Sequence, residues 1–534
     1  MNELTEASDL LRSSLARYTN ACFSAVEACK PLASPSRVLF DCIVRELRMV
    51  ANYEVNIKVA KSALTQCANY RPTSPINTLP SEIIIRIFTL LIKSVTLPEI
   101  LSHVCSRWRR IALAVPELWT HIDIISDESR HTKIMARSQL FASRIGVLHP
   151  KVHISIPPEY GLVTPPQAFQ QELRFASSTI APRIKSFRLD DSSAGSESLV
   201  CFVNYFLPHI TPGALKRLVL LDHSDDYSRS SFLSITDPRE HGPEDQQWPG
   251  AGHRQTLRVS MSLLDEILRP VQILWLRNQF FPWRSLVYSG LVDLRLLQSR
   301  YFRDGVQINI VTLVNILRSC PGLRVFHCEI ELDSHTLHTS SPIPPVTLTE
   351  LEDLRIHNML PTQSKLLLPY IFPGPKPLGF FIQVAGRSSS KSFFPAVVLA
   401  FLRRSNVTKL FIKTQETAWI SVVTIASALP GNLNTLSLQG FWIVPEGTNS
   451  AHPGFSRVAK VNTLILQRVK VGVGISAIQQ FSSICAVQEL ILDSDSLPHL
   501  GFMMVTALEE LRQTIPVVRC TLGQGEYRGS WILA

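Results

Sequence analysis

The 534-residue sequence has no run of ~18 apolar residues of the kind a membrane span requires. Its start, MNELTEASDLLRSSLARY, carries acids early and lacks the apolar stretch of a secretory leader. Ten cysteines show no C-x-x-C pair and no regular spacing, against both a zinc ribbon and a disulfide framework. Together these absences imply a reduced compartment, cytoplasmic or nuclear, and no membrane partner. Basic residues outnumber acidic ones by 53 to 43, a net charge of +10, yet no block of five cations occurs. A nucleic-acid footprint is a clustered stripe, so no nucleic-acid partner is expected.

Catalytic motifs are missing as well. There is no H-E-x-x-H, G-x-x-x-x-G-K-[ST] or G-x-S-x-G, and no Cys/His cluster at zinc spacing. No catalytic residue, metal or cofactor is expected, and an enzyme is not. His149 and His153 read as solvated residues flanking a strand, and Asp190-Asp191 and Asp225-Asp226 as pairs that solvate loops.

What is present divides the chain in three: residues 1–73, 74–119 and 120–534. The first part is helical. Leu39, Ile43, Leu47 and Val50 share one helical face, which could coil against a partner or pack on its own domain. The prolines of NYRPTSP end it.

The second part holds SPINTLPSEIIIRIFTLLI, with Asn77 or Thr78 to cap a helix and Pro80 in its first turn. Ile84, Ile87, Phe88 and Leu91 form one face, Ile83, Ile87 and Leu90 an adjoining one. A helix apolar nearly all round must be buried nearly all round. A unit of some forty residues is too small to enclose it alone, so part of the cover must come from elsewhere. A second helix is expected from about Glu99 to Ala114, with Ile100, Val104, Trp108 and Ile111 on one face. Its face is too apolar for a helix that reads bases.

The third part repeats one pattern: apolar, two positions, apolar, one position, apolar. It occurs at Ile184/Phe187/Leu189, Leu215/Leu218/Leu220, Val271/Leu274/Leu276, Leu291/Leu294/Leu296, Leu323/Phe326/Cys328 and Leu351/Leu354/Ile356. It continues at Val407/Leu410/Ile412, Leu433/Leu436/Leu438, Val461/Leu464/Leu466, Val487/Leu490/Leu492 and Ile515/Val518/Cys520, with a degraded copy in LGFFIQVA from Leu378. Trp119/Ile122/Ile124 and KVHISI (151–156) precede them. The copies at Val407, Leu433, Val461 and Val487 start 26, 28 and 26 residues apart. This is the signature of an irregular leucine-rich-repeat solenoid, a horseshoe of strands and return segments sharing one core, interrupted by polar insertions near 223–255 and 333–349.

INTLPSEIIIRIFTLLIKSVTLPEILSHVCSRWRRIALAVPELWTHIDI closely resembles the F-box family, through the opening L-P-x-E-[IL]-x-x-x-I-F, then LPEIL, V-C-x-x-W-R-x-I-A and P-x-L-W. It is similar in particular to the large fungal F-box families. The resemblance implies the substrate-recognition subunit of a Skp–cullin–F-box (SCF) ubiquitin ligase, with catalysis in other subunits. It implies docking on a Skp-type adaptor, and through it a cullin/RING ligase, by Leu79, Pro80, Ile83, Ile87, Phe88, Leu97, Pro98, Leu101, Val104, Cys105 and Trp108, with Trp108 as anchor. The alternative is a repeat scaffold not coupled to ubiquitylation. On the repeat strands, the fourth position of each pattern should point outward, giving a concave substrate surface that is basic in the middle and apolar toward the C-terminus. Its candidates are Arg188, Trp275, Arg277, Arg295, Arg355, Lys409 and Phe411, suited to an acidic or phosphorylated protein segment.

Overall fold

The computed structural model describes residues 2–29, 37–69, 75–91, 97–125, 139–156, 173–174, 177–193, 197–223, 231–236, 256–298, 306–333, 343–357, 366–384, 396–444, 460–493 and 504–521. The chain forms two compact units, Met1–Ala114 and Val115–Ala534. Among the described residues, no helix is long and apolar enough to cross a membrane.

The described residues of the first unit are helical: α1 (Asn2–Cys29), α2 (Arg37–Asn69), a four-residue turn of helix (Pro75–Thr78), α3 (Ser81–Leu91), α4 (Leu97–Val104) and α5 (Ser106–Ala114). Tyr18 on α1 donates its hydroxyl hydrogen to Glu46 on α2 at 3.0 Å, and its ring meets Tyr53 edge-on. Ile43, Leu47 and Val50 lie on the surface of α2, Leu47 at 64% exposure. One long helix from Glu99 to Ala114 does not form; the chain breaks at Cys105. Cys105 acts as a cap there, its carbonyl accepting from Arg109 N–H at 2.8 Å and its sulfur from Trp108 N–H at 3.4 Å.

Among the described residues, the second unit is built on one parallel sheet of fifteen strands, fourteen of them paired in an unbroken path that follows chain order. They are β1 (His121–Ile125), β2 (Lys151–Ile156), β3 (Ser186–Asp191), β4 (Arg217–Asp222), β5 (Ile273–Arg277), β6 (Asp293–Leu297) and β7 (Val325–Cys328). The rest are β8 (Asp353–Ile356), β9 (Leu378–Val384), β10 (Val407–Ser421), β11 (Thr435–Val444), β12 (Thr463–Gln467), β13 (Glu489–Asp493) and β14 (Val517–Thr521). Every copy of the sequence pattern, the degraded one included, supplies one strand. Strand order that equals chain order, all parallel, with a return segment after each strand, is a leucine-rich-repeat solenoid.

The register explains the pattern. Leu218, Leu274, Leu294, Phe326, Leu354, Phe380, Leu410, Leu436, Leu464 and Leu490 lie side by side, each at 2% exposure or less. Period-two alternation sends them to the covered face, where return helices such as Ile310–Arg318 add Leu313, Val314 and Leu317. Asn309 caps that helix, accepting from Val311 N–H at 2.7 Å. Of the insertion near 223–255, the described part (Ser231–Phe232, Ser234–Thr236) adds short strands that pair with Gln279–Phe280 and Thr256–Arg258. Most of the insertion near 333–349 lies outside the described residues.

At the strand ends runs a buried polar line, Asp191, Asp222, Asn278 and Gln298, which the apolar pattern did not reveal. Asn278, in the left-handed region at φ 63°, donates from its amide to Asp222 O at 2.9 Å, and Gln279 donates to Asp222 Oδ2 at 3.2 Å. Asp191 is therefore no loop-solvating residue: it is fully buried and register-paired with Asp222. Burial pushes its carboxyl up to about 7, outweighing the Ser193 N–H and hydroxyl donors that pull it down, and the charge of Asp222 adds to the rise. Asp225-Asp226 lies outside the described residues.

Between about pH 4, where an unfolded Asp ionises, and pH 7, the folded chain holds a proton on Asp191 that the unfolded chain has lost. This contribution to stability is full below about pH 4 and disappears as the pH rises to 7. Urea unfolding of wild type and Asp191→Asn at pH 5 and pH 8 should show the variant gaining relative stability at the higher pH. A difference that does not change with pH would contradict the assignment.

Candidate functional site

In the first unit, α3 starts at Ser81 and Ile84 N–H donates to Pro80 O at 3.2 Å. Arg107 on α5 donates to Leu79 O at 2.5 Å and so ties the start of α3 to α5. Phe88 meets Trp108 edge-on with ring centroids 5.0 Å apart. The residues assigned to docking by resemblance fall into two sets. Phe88 (1% exposed), Leu101 (4%) and Pro98 are buried within the helices. Leu79, Ile87, Cys105 and Trp108 are half-buried, Trp108 being a brace against Phe88 more than a projecting anchor. Pro80, Ile83 (47%) and Val104 (48%) are exposed. Leu90 (65%), Leu91 (51%) and Ile100 (56%) are exposed as well. Leu97 opens α4.

On the repeat sheet, the fourth positions align as expected in one row on the open face: His153, Arg188, Val219, Trp275, Arg295, His327, Arg355, Phe381, Phe411, Ser437, Ile465 and Ile491. Neighbouring strands stand about 4.8 Å apart, so side chains in a row pack on one another. Arg295, His327, Ser437, Ile465 and Ile491 are thereby buried, in place of the open substrate surface expected of them.

Three arginines of the expected basic middle have acidic partners. Arg188 pairs with Asp190 at 2.7 Å, Arg295 binds Asp293 through two 2.9 Å hydrogen bonds, and Arg355 pairs with Asp353 at 2.8 Å. Residues two apart on a strand share a face, so each aspartate neutralises the arginine of its own strand. Trp275 lies between two guanidinium groups, Arg217 at 4.6 Å and Arg295 at 3.8 Å from its ring centroid. Arg277 is half-buried one row further along. For Asp353, burial opposes ionisation, yet hydrogen bonds from His327 and Arg355 hold the carboxyl down to about 2.

From β8 to β12 the open face dips into a cavity of about 210 Å³. Its aromatic floor is a stack: His357 on Phe381 with centroids 4.0 Å apart, and Phe381 on Phe411 at 4.4 Å, both pairs tilted by only 16°. Lys409, Lys413, Gln439 and Gln467 edge the cavity. Phe381 lies in a copy that departs from the apolar pattern, so periodicity alone does not single it out; its register with Phe411 does. At the other end of the sheet, His153 is half-buried and not solvated, its Nδ1 at 3.4 Å from Asp123 and its Nε2 at 3.1 Å from Asp190. His149 is exposed, with Nδ1 3.1 Å from Arg183 O.

Residues 76–125 match the family model described as F-box-like. Among solved structures, the chain is similar to the leucine-rich repeat-containing protein LegL7 from Legionella pneumophila, at 12% identity and a TM-score of 0.27, over 76% of this chain and 92% of that one. None of the curated proteins matches the sequence. The chain thus joins an F-box-like segment to a leucine-rich-repeat unit, the organisation of a protein-interaction adaptor.

The buried Arg295–Asp293 pair offers a test of the face's self-neutralisation. Arg295→Met should cost about 3 kcal/mol by leaving a buried carboxylate unpaired, and Asp293→Asn in the same chain should restore much of that loss. Urea unfolding of the two single variants and the double variant measures the coupling.

Proposed function

We propose that the chain is a substrate receptor of a Skp–cullin–F-box ubiquitin ligase. Its F-box-like helices dock on a Skp-type adaptor, and the open face of the repeat sheet holds a protein substrate. The observation that carries the first half is the apolar surface left on α3 and α4: Pro80, Ile83, Leu90, Leu91, Ile100 and Val104. Covering a large aliphatic side chain is worth about 1.5–3 kcal/mol. Several together supply the surplus needed against the several kcal/mol lost on association.

The second half rests on the cavity over Phe381 and Phe411. A flat ring stack takes an aromatic or aliphatic side chain on its face, and Lys409 and Lys413 at the edge suit an acidic residue beside it. The substrate class is accordingly a protein segment with an apolar anchor next to an acidic or phosphorylated residue. Arg188, Arg295 and Arg355, held by their own aspartates, frame the face.

Wild type should co-purify with a Skp-type adaptor and a cullin. Ile83→Glu/Val104→Glu, altering only exposed positions, should reduce adaptor capture at least tenfold while the unfolding curve stays in place. Phe381→Ala/Phe411→Ala should keep the adaptor and lose proteins that accumulate when degradation is blocked. Capture of the adaptor without a cullin would favour a scaffold uncoupled from ubiquitylation, and equal capture by wild type and the Ile83/Val104 variant would refute the docking surface.

A further inference from the structure

At the first edge of the repeat sheet, three potential metal ligands from two adjacent strands converge. β1 presents His121 and Asp123 on one face, two residues apart, and β2 places His153 directly beside Asp123 in register. His121 Nε2 and His153 Nδ1 each lie 3.4 Å from the same oxygen, Asp123 Oδ1. The ligand atoms of the three residues all fall within 4.8 Å of one another. Two donors bound at ~2.0–2.1 Å to a tetrahedral zinc ion stand about 3.3–3.4 Å apart. The two nitrogen–oxygen separations already have that length.

The second nitrogen of His153 adds an independent observation. Its Nε2 lies 3.1 Å from Asp190 Oδ2, and Arg188 holds that carboxylate by hydrogen bonds of 2.7–3.0 Å. A metal-binding imidazole characteristically donates its other N–H to a carboxylate, which fixes the tautomer and aims the free lone pair at the ion. Here Asp190 holds the proton on Nε2 and leaves Nδ1 facing Asp123 and His121. Side-chain exposures of 35%, 18% and 27% for His121, Asp123 and His153 leave one side open to solvent. A fourth ligand, water or a donor from a partner, can enter from there.

We propose that His121, Asp123 and His153 form a binding site for a divalent transition-metal ion of the zinc class, with Asp190 as the carboxylate that orients His153. Imidazole nitrogens select such an ion over calcium or magnesium, which take oxygen. Because β1 is the edge strand of the sheet, an ion bridging β1 and β2 fastens the strand that has a neighbour on one side only. The site is independent of the ubiquitin-ligase reading, since it involves neither the exposed residues of α3 and α4 nor the cavity over Phe381.

The test is titration of the full-length chain, freed of metal by a chelator, with Zn²⁺ and in parallel with Co²⁺. One equivalent of zinc should bind with a dissociation constant of micromolar or below and raise the melting temperature. Cobalt should give the visible absorption of a four-coordinate ion on nitrogen and oxygen, without the thiolate charge-transfer band that cysteine ligands produce. His121→Gln and His153→Gln should each abolish binding. Asp190→Asn should weaken it about 10–100-fold, the usual cost of losing an orienting carboxylate. The proposal is overturned by the absence of stoichiometric zinc binding at 100 μM wild type (an experimental concentration of about that order suffices), by a thiolate band, or by unchanged affinity in folded His121→Gln and His153→Gln chains.

Discussion

The repeat unit depends on parallel strands stacked in register, so that every position of one strand has the same position of the next as its neighbour about 4.8 Å away. On the covered face this suits leucine and phenylalanine, and the solenoid forms wherever the pattern supplies them. On the open face Arg188, Arg295 and Arg355 stand on strands that are not neighbours, with Val219, Trp275 and His327 between them, and each is paired with an aspartate two residues away on its own strand. Where no charge is present, rings stack instead, as His357, Phe381 and Phe411 do.

The helical unit meets the opposite constraint. With few residues and no repeating neighbour, it cannot bury all the apolar surface of α3 and α4. Phe88, Pro98 and Leu101 form its own core, braced by Trp108 and by Arg107 on the Leu79 carbonyl. Ile83, Leu90, Leu91, Ile100 and Val104 stay outside. The two units therefore present different surfaces: an apolar one on the helices, and a charge-balanced one with an aromatic floor on the sheet.

The strands were legible in the sequence because a two-residue period with an apolar triplet has one physical solution when it recurs at near-constant spacing. Which apolar residues of α3 and α4 are core and which are surface was not legible, because nearly all positions are apolar and periodicity alone cannot orient the helix. The break at Cys105 was hidden for a related reason: the apolar stripe continues across it, and only the cap hydrogen bonds reveal the interruption. The Arg–Asp pairs were within reach, since R-x-D and D-x-R at strand positions place both side chains on one face. The buried carboxylates of the strand ends were not, because Asp191 in a sequence looks like any other loop aspartate until Asp222 is set beside it.

This balance changes what the open face can recognise. If Arg188, Arg295 and Arg355 projected as free cations, charge alone would favour an acidic partner, and affinity would fall steeply with salt. Held by their own aspartates, they contribute little net potential. Under the proposed substrate-receptor function, recognition then depends on shape and apolar contact at Phe381 and Phe411, with the lysines at the cavity edge setting which flanking residue is tolerated. Such a surface discriminates by the side chain that fits the ring stack and uses charge only at the margin. A divergent repeat thereby supplies part of the cavity's ring stack, since Phe381 belongs to the strand whose sequence departs furthest from the pattern.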